Sequence, residues 1–154
     1  MELILWRHAD AEDANAKGDD ARALTKKGQR QARRMARWLH PRLEGRWKIL
    51  VSPAVRAVQT VEPLAEPYEI RTALGTSSDA RRLLREVGWP EGDRVIVVGH
   101  QPTLGEVAAE LLGGSCGDVA VRKGSVWWFA TRERDGRVET VLKSVVDPDL
   151  LHDG

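Results

Sequence analysis

Cysteine is nearly absent from this chain. The single Cys116 has no internal partner, so no disulfide can form within it, and no cysteine and histidine cluster has zinc spacing. A reducing cytoplasm is the compartment this suits, and Cys116 itself, in a glycine-rich loop, is read as carrying no chemistry. Long apolar runs are missing too. No stretch approaches the roughly 18 apolar residues of a membrane span, and the N-terminus lacks the basic-then-apolar order of an export signal. Charge of one sign is the third absence: 24 Lys and Arg stand against 23 Asp and Glu, a formal net charge of +1. Nothing therefore draws the whole molecule to nucleic acid or membrane, and any positive site must be local. Repeats, low-complexity segments and Pro/Gly/Ser linkers are also lacking.

What remains is an ordinary globular composition, 42% apolar and 31% charged over 154 residues, expected to form a single domain over 1–154 with its own hydrophobic core. Residues 2–6, "WKILVS" (47–52) and "RVIVVG" (94–99) are short, almost wholly apolar runs, as in a parallel sheet covered on both faces. A weaker strand is read at 68–71. Helical patterns alternate with them. Thr25 caps a helix whose apolar stripe is Ala32, Met35, Ala36 and Leu39, before Pro41. Ser52-Pro53 reads as the cap and first turn of a helix through about Ala65, residues 77–88 form another, and Pro102 opens one running to Leu112, before Gly113 and Gly114. After 125 the rhythm becomes that of a hairpin turning at Asp135-Gly136. The expected fold is α/β: three layers, a mostly parallel sheet flanked by helices, with an antiparallel C-terminal hairpin at or near the edge. Trp127 and Trp128, adjacent in a strand, must point to opposite faces.

Ligands of open parallel sheets bind beyond the carboxyl ends of the strands. There the first strand ends in Arg7 and His8, the second in Ser52 with Arg56 one helical turn on, and the third in Gly99 and His100. Taken singly, each is as readable as a surface feature. Together, two arginines, two histidines and helix N-termini at one rim suit a phosphate group, which guanidinium binds through two parallel hydrogen bonds.

The chain resembles the histidine phosphatase (phosphoglycerate-mutase-like) superfamily, its short SixA-type phosphohistidine phosphatases in particular, from residue 3 to about 112. The carrying motifs are Arg7-His8-Ala9, Arg22-Ala23-Leu24-Thr25-Lys26-Lys27-Gly28, "SPAVRAVQT" (52–60) and "VIVVGHQPTL" (95–104). The resemblance implies His8 as nucleophile, Arg7 and Arg56 as charge clamps and His100 as a ligand of the equatorial oxygens. It makes Arg22, Thr25 and Ser52 candidate substrate contacts. Two departures stand out: Ala9 replaces the family's Gly, adding a Cβ where the backbone is expected to pass the phosphate, and the general acid of larger relatives is missing. Asp10, with Glu12 behind it, is the candidate proton donor.

Phosphoryl transfer through His8 needs a neutral imidazole, one nitrogen facing phosphorus and the other hydrogen-bonded to a backbone carbonyl. The neighbouring guanidiniums are expected to lower its pKa. If arginines carry the equatorial charge, neither metal nor cofactor is called for. An alkoxide leaving group, with a conjugate-acid pKa near 15.7, needs a strong acid; imidazole, at about 6.5, does not. The missing acid, and an interval from Arg56 to His100 too short for an inserted cap, point to phosphohistidine carried on another protein. The partner is then a phosphorylated phosphotransfer or phosphocarrier domain. The basic helix face of Lys26, Lys27, Arg30, Arg33, Arg34 and Arg37 is read first as solvated. A phosphatase of small phosphate esters and a catalytically silent phosphoryl-binding module remain alternatives, and the oligomeric state is open, a monomer being sufficient.

Overall fold

Strand β1 (Glu2–Arg7) runs through the middle of the molecule, with Leu3, Ile4, Leu5 and Trp6 fully buried. The computed structural model describes residues 1–114 and 117–153, so Cys116 lies outside the described residues. Around β1 stand β2 (Lys48–Val51), β3 (Glu69–Ile70), β4 (Arg94–Gly99), β5 (Val126–Arg134) and β6 (Arg137–Val146) in one sheet of order β3-β2-β4-β1-β5-β6. The first four are mutually parallel; β5 runs antiparallel to β1, and β6 returns antiparallel to β5 at the edge.

Side chains alternate across a strand, so a sheet buried on both faces needs apolar residues at every position. Leu3 and Leu5 pack with Leu83 and Val87 of α3 (Ala80–Val87) and with Leu104, Val107 and Leu111 of α4 (Thr103–Leu111). Ile4 and Trp6 pack on the other face with Met35 and Leu39 of α1 (Lys26–Leu39) and Ala57 and Val61 of α2 (Val55–Val61). Trp128 joins the second core and Trp127 lies against the first, on opposite faces as adjacent strand residues must.

Chain leaving β1 therefore crosses to the face carrying α1, and chain leaving β4 crosses to the face carrying α4. A crevice opens where neighbouring strands send their connections apart. No helix among the described residues is long and apolar enough to cross a membrane.

Several boundaries differ from the sequence reading. The second helix starts at Val55, because its N-cap Ala54 has no side-chain acceptor and, of the backbone amides there, the Ser52 hydroxyl reaches only the Ala54 N–H; the pattern to Ala65 is completed by a 3-10 turn, Glu62–Leu64. The third helix is shorter than 77–88, because the Asp79 carboxylate accepts the Arg82 N–H and Gly88 ends it in the left-handed region. The strand expected at 68–71 pairs only over Glu69 and Ile70.

Candidate active site

The β1 ladder does not stop at Arg7. His8 N–H donates to the Gly99 carbonyl at 3.0 Å, and Gly124 N–H donates to the His8 carbonyl at 3.1 Å, so the backbone of His8 is held from both sides. Arg7 pairs with Gly99 in register, which puts His8 beside His100 with ring centroids 5.2 Å apart.

The His8 side chain is buried, and its Nδ1–H donates to the Ala9 carbonyl at 2.7 Å. That bond leaves the Nε2 lone pair free. Burial pushes the His8 pKa down to about 3; the hydrogen bond to Ala9 opposes the shift, while His100, Arg56 and Arg7 add to it. Desolvation thus leads and the guanidiniums follow, the reverse of the emphasis expected from sequence. His100 is pushed down to about 4, again chiefly by burial and then by Arg56.

Ser52 accepts the Ala54 N–H at 3.2 Å and lies 2.7 Å from His100 Nε2. Donation by the hydroxyl to Nε2 goes with a His100 proton on Nδ1, and donation by Nε2–H to the hydroxyl with a bare Nδ1. That Nδ1 is buried and has no partner among the described residues, as are Nε of Arg7 and Nε of Arg56. Arg7 is steadied by donating from a terminal nitrogen to the Val121 carbonyl at 2.9 Å. Ser52, expected as a substrate contact, is thus a support for His100.

Thr25 is similarly committed. Its hydroxyl donates to the Asp10 carboxylate at 2.7 Å and accepts the Gly28 N–H at 3.0 Å, capping α1. Asp10 also receives Lys123 Nζ at 3.2 Å, and its pKa is lowered, first by the Thr25 hydrogen bond. Such a carboxylate is held ionised and has no proton to give. Arg22 donates from Nε to the Glu12 carbonyl at 2.6 Å and from a terminal nitrogen to the Asp19 carboxylate at 2.9 Å. Glu12 folds back on its own loop, accepting the Ala23 N–H and the Asn15 side-chain amide.

Three supports escaped the sequence reading, two of them inside the quoted "SPAVRAVQT" block. Thr60 accepts the Ala9 N–H at 3.0 Å and donates to the Arg56 carbonyl at 2.7 Å, tying the loop after His8 to the helix that carries Arg56. Gln59 accepts the Leu24 N–H at 2.7 Å. The third is Asp19, which meets Arg56 through both its carbonyl and its carboxylate. Ala9 is fully buried in a small cluster with Ala11, Leu24 and Ala32. Its Cβ packs into the core, so the departure from Gly is accommodated. Among the described residues no group of three His, Cys, Asp or Glu is arranged to hold a metal ion.

Residues 3–90 match the model of the histidine phosphatase superfamily, branch 1. The phosphohistidine phosphatase SixA homolog of Haemophilus influenzae is 33% identical over 130 residues, covering 73% of this chain and 78% of that protein. Phosphohistidine phosphatase SixA of Escherichia coli is 32% identical over 123 residues, covering 74% and 76%. The solved structure of the protein histidine phosphatase SixA complexed with tungstate superposes with a TM-score of 0.75 at 26% identity, over 97% of this chain and 98% of that one.

Proposed function

This chain belongs to the histidine phosphatase superfamily, and from that premise we propose that it hydrolyses phosphohistidine on another protein, with His8 carrying the phosphoryl group between two in-line displacements. In the first, the His8 Nε2 lone pair forms the N–P bond while the bond from phosphorus to the substrate imidazole breaks, its electron pair returning to that nitrogen, so that a substrate ring already protonated on its other nitrogen leaves as neutral imidazole. In the second, water attacks phosphorus, the bond to Nε2 breaks, and inorganic phosphate departs.

The observation that carries this reading is the Nδ1–H bond to Ala9 in a buried, neutral His8. It leaves a nucleophilic nitrogen unprotonated at neutral pH, where a free histidine of pKa about 6.5 is still partly charged. With the Ser52 hydroxyl taken as donor to His100, Nδ1–H of His100 and Nε–H of Arg7 and Arg56 are donors without partners among the described residues, suited to the equatorial oxygens, where fixed donors act most strongly in the transition state. The tungstate held by the similar solved structure supports an oxyanion pocket here too.

Substrate class follows from the carboxylates. Asp10 is committed to Thr25 and Lys123, and Asp19 to Arg22 and Arg56. An ester would lose the roughly 10²- to 10⁴-fold contribution of a general acid, whereas imidazole leaves without that help. From Arg56 to His100 the chain is occupied by the rest of α2, β3, α3 and β4 with their turns. We read the chain as one domain lacking an inserted cap, open enough for a histidine on a protein surface. The names of the two curated relatives support the same substrate class.

The test is hydrolysis of a phosphohistidine-bearing protein beside a panel of phosphate esters, with His8→Ala as the control. Turnover of the phosphoprotein, its loss in His8→Ala, and an acid-labile, base-stable phosphate on His8 are expected. Preference for an ester refutes the substrate class, and appreciable turnover by His8→Ala refutes the nucleophile. No trapping and no hydrolysis across the donors would leave a phosphoryl-binding module.

A further inference from the structure

Arg56 is a buried guanidinium whose terminal nitrogens are already taken. One donates to the Asp19 carbonyl at 2.8 Å and the other to the Asp19 carboxylate at 3.1 Å, while the second carboxylate oxygen accepts from Arg22 at 2.9 Å. A single carboxylate thus bridges two arginines, both of which the phosphatase reading directs at phosphate. The partners differ sharply in exposure: the Arg56 side chain is 4% accessible, that of Asp19 58%. Asp19 opens a 3-10 turn (Asp19–Ala21) in the loop between β1 and α1, following Gly18 in the left-handed region.

We propose that Asp19 is a displaceable internal anion which holds the phosphoryl-binding arm of Arg56 until a phosphoryl group replaces it, and so sets which anions the pocket accepts. The inference rests on the phosphatase reading above. Rotation of the Asp19 side chain alone releases the terminal nitrogen that binds its carboxylate. The carbonyl contact on the other nitrogen can persist and keep Arg56 aimed. Leaving costs the Asp19 carboxylate itself little, because it is exposed and is solvated as it turns out. Arg56, being buried, cannot be left without an anion, so the exchange is coupled to ligand arrival. A phosphoryl group carrying about −1.5 to −2 charges outcompetes a carboxylate; a singly charged or weakly basic anion does not. The same competition hastens departure of inorganic phosphate, since the tethered carboxylate is always at hand to reclaim Arg56.

Apparent affinity equals intrinsic affinity times the fraction of molecules with the arm free, so if about a tenth are free, removing the carboxylate tightens binding about tenfold. The experiment is titration of the full chain with inorganic phosphate and with sulfate by calorimetry, for the parent, Asp19→Asn, Asp19→Ala and the neighbouring Asp20→Asn. Both Asp19 variants are expected to bind phosphate about tenfold tighter and to gain sulfate binding, with Asp20→Asn like the parent. Unchanged or weaker phosphate binding in the folded Asp19 variants overturns the proposal. In the parent, backbone amide resonances of residues 18–22 are expected to shift on saturation with phosphate, and their constancy equally overturns it. If neither parent nor variants bind phosphate, the oxyanion pocket itself is refuted, a result distinct from a parent that binds and an Asp19 variant that does not improve.

Discussion

Ser52 holds His100 through a single hydroxyl hydrogen, and a whole tautomer depends on it. In Ser52→Ala the proton of His100 is free to move to Nε2, turning a lone pair towards the oxyanion in place of a donor. We expect kcat/KM to fall by about a hundredfold, the scale of losing one preorganised donor. Stability should fall by about 1–3 kcal/mol, because the mutation orphans buried polar groups. The diagnostic is the nitrogen NMR spectrum of His100: parent-like shifts in Ser52→Ala would refute the tautomer assignment. Arg7, His8, Arg56 and His100 were legible as candidates because strand ends fix where a residue emerges. Asp19 was not, since nothing in "GDDARA" distinguishes it from Asp20 until the loop has closed. Thr60 lay in plain view, but its use depends on Ala9 N–H needing an acceptor across a distance in sequence that no local pattern encodes.

Helix α1 shows the same division at the scale of an element. Its Thr25 cap and apolar stripe were readable, since both are local. The reason for Gly28 was not: a Cβ there would lie 1.9 Å from the Asp10 carbonyl oxygen, on a segment separate in sequence. The helix and the loop after His8 therefore touch backbone to side, with no room for a methyl group. Gly28→Ala is expected to cost about 3 kcal/mol or more, the upper range for overpacking, whereas Thr25→Ala should cost about 1 kcal/mol, the usual loss of an N-cap. Chemical denaturation of both variants checks this; a Gly28→Ala protein as stable as the parent would refute the close packing. The start of α2 was misjudged because the Ser52 hydroxyl is spent on the Ala54 N–H and on His100, and that of α3 because the Asp79 carboxylate, two residues beyond the expected start, takes the Arg82 N–H.

Across the whole molecule, two cores close over both sheet faces, and burial at the strand ends resists the charging of His8 and His100. His8 and His100 titrate near 6.5 when unfolded but near about 3 and about 4 when folded. Between those values the unfolded chain binds more protons, so stability falls as pH drops below 6.5 and is flat in this respect above it. Each histidine steepens the decline by up to about 1.4 kcal/mol per pH unit. Urea midpoints measured from pH 7 to pH 5 should fall in the parent and fall less in His100→Gln; equal slopes would refute the buried neutral state. The parallel centre and the antiparallel C-terminal hairpin were legible from apolar runs and their alternation with helices, because burial on both faces leaves a mark at residues 3–6 and 95–98; the strand order was not, since the pairing partners lie far apart in sequence.

That ladder also works as a ruler. His8 and His100 stand 5.2 Å apart because Arg7 lies opposite Gly99 in paired strands, and no loop sets the spacing. Loop segments around the rim can therefore diverge while the two rings keep their gauge. A one-residue deletion inside β1 would do the reverse, turning Arg7 and His8 to opposite faces and erasing the site in an otherwise intact sheet.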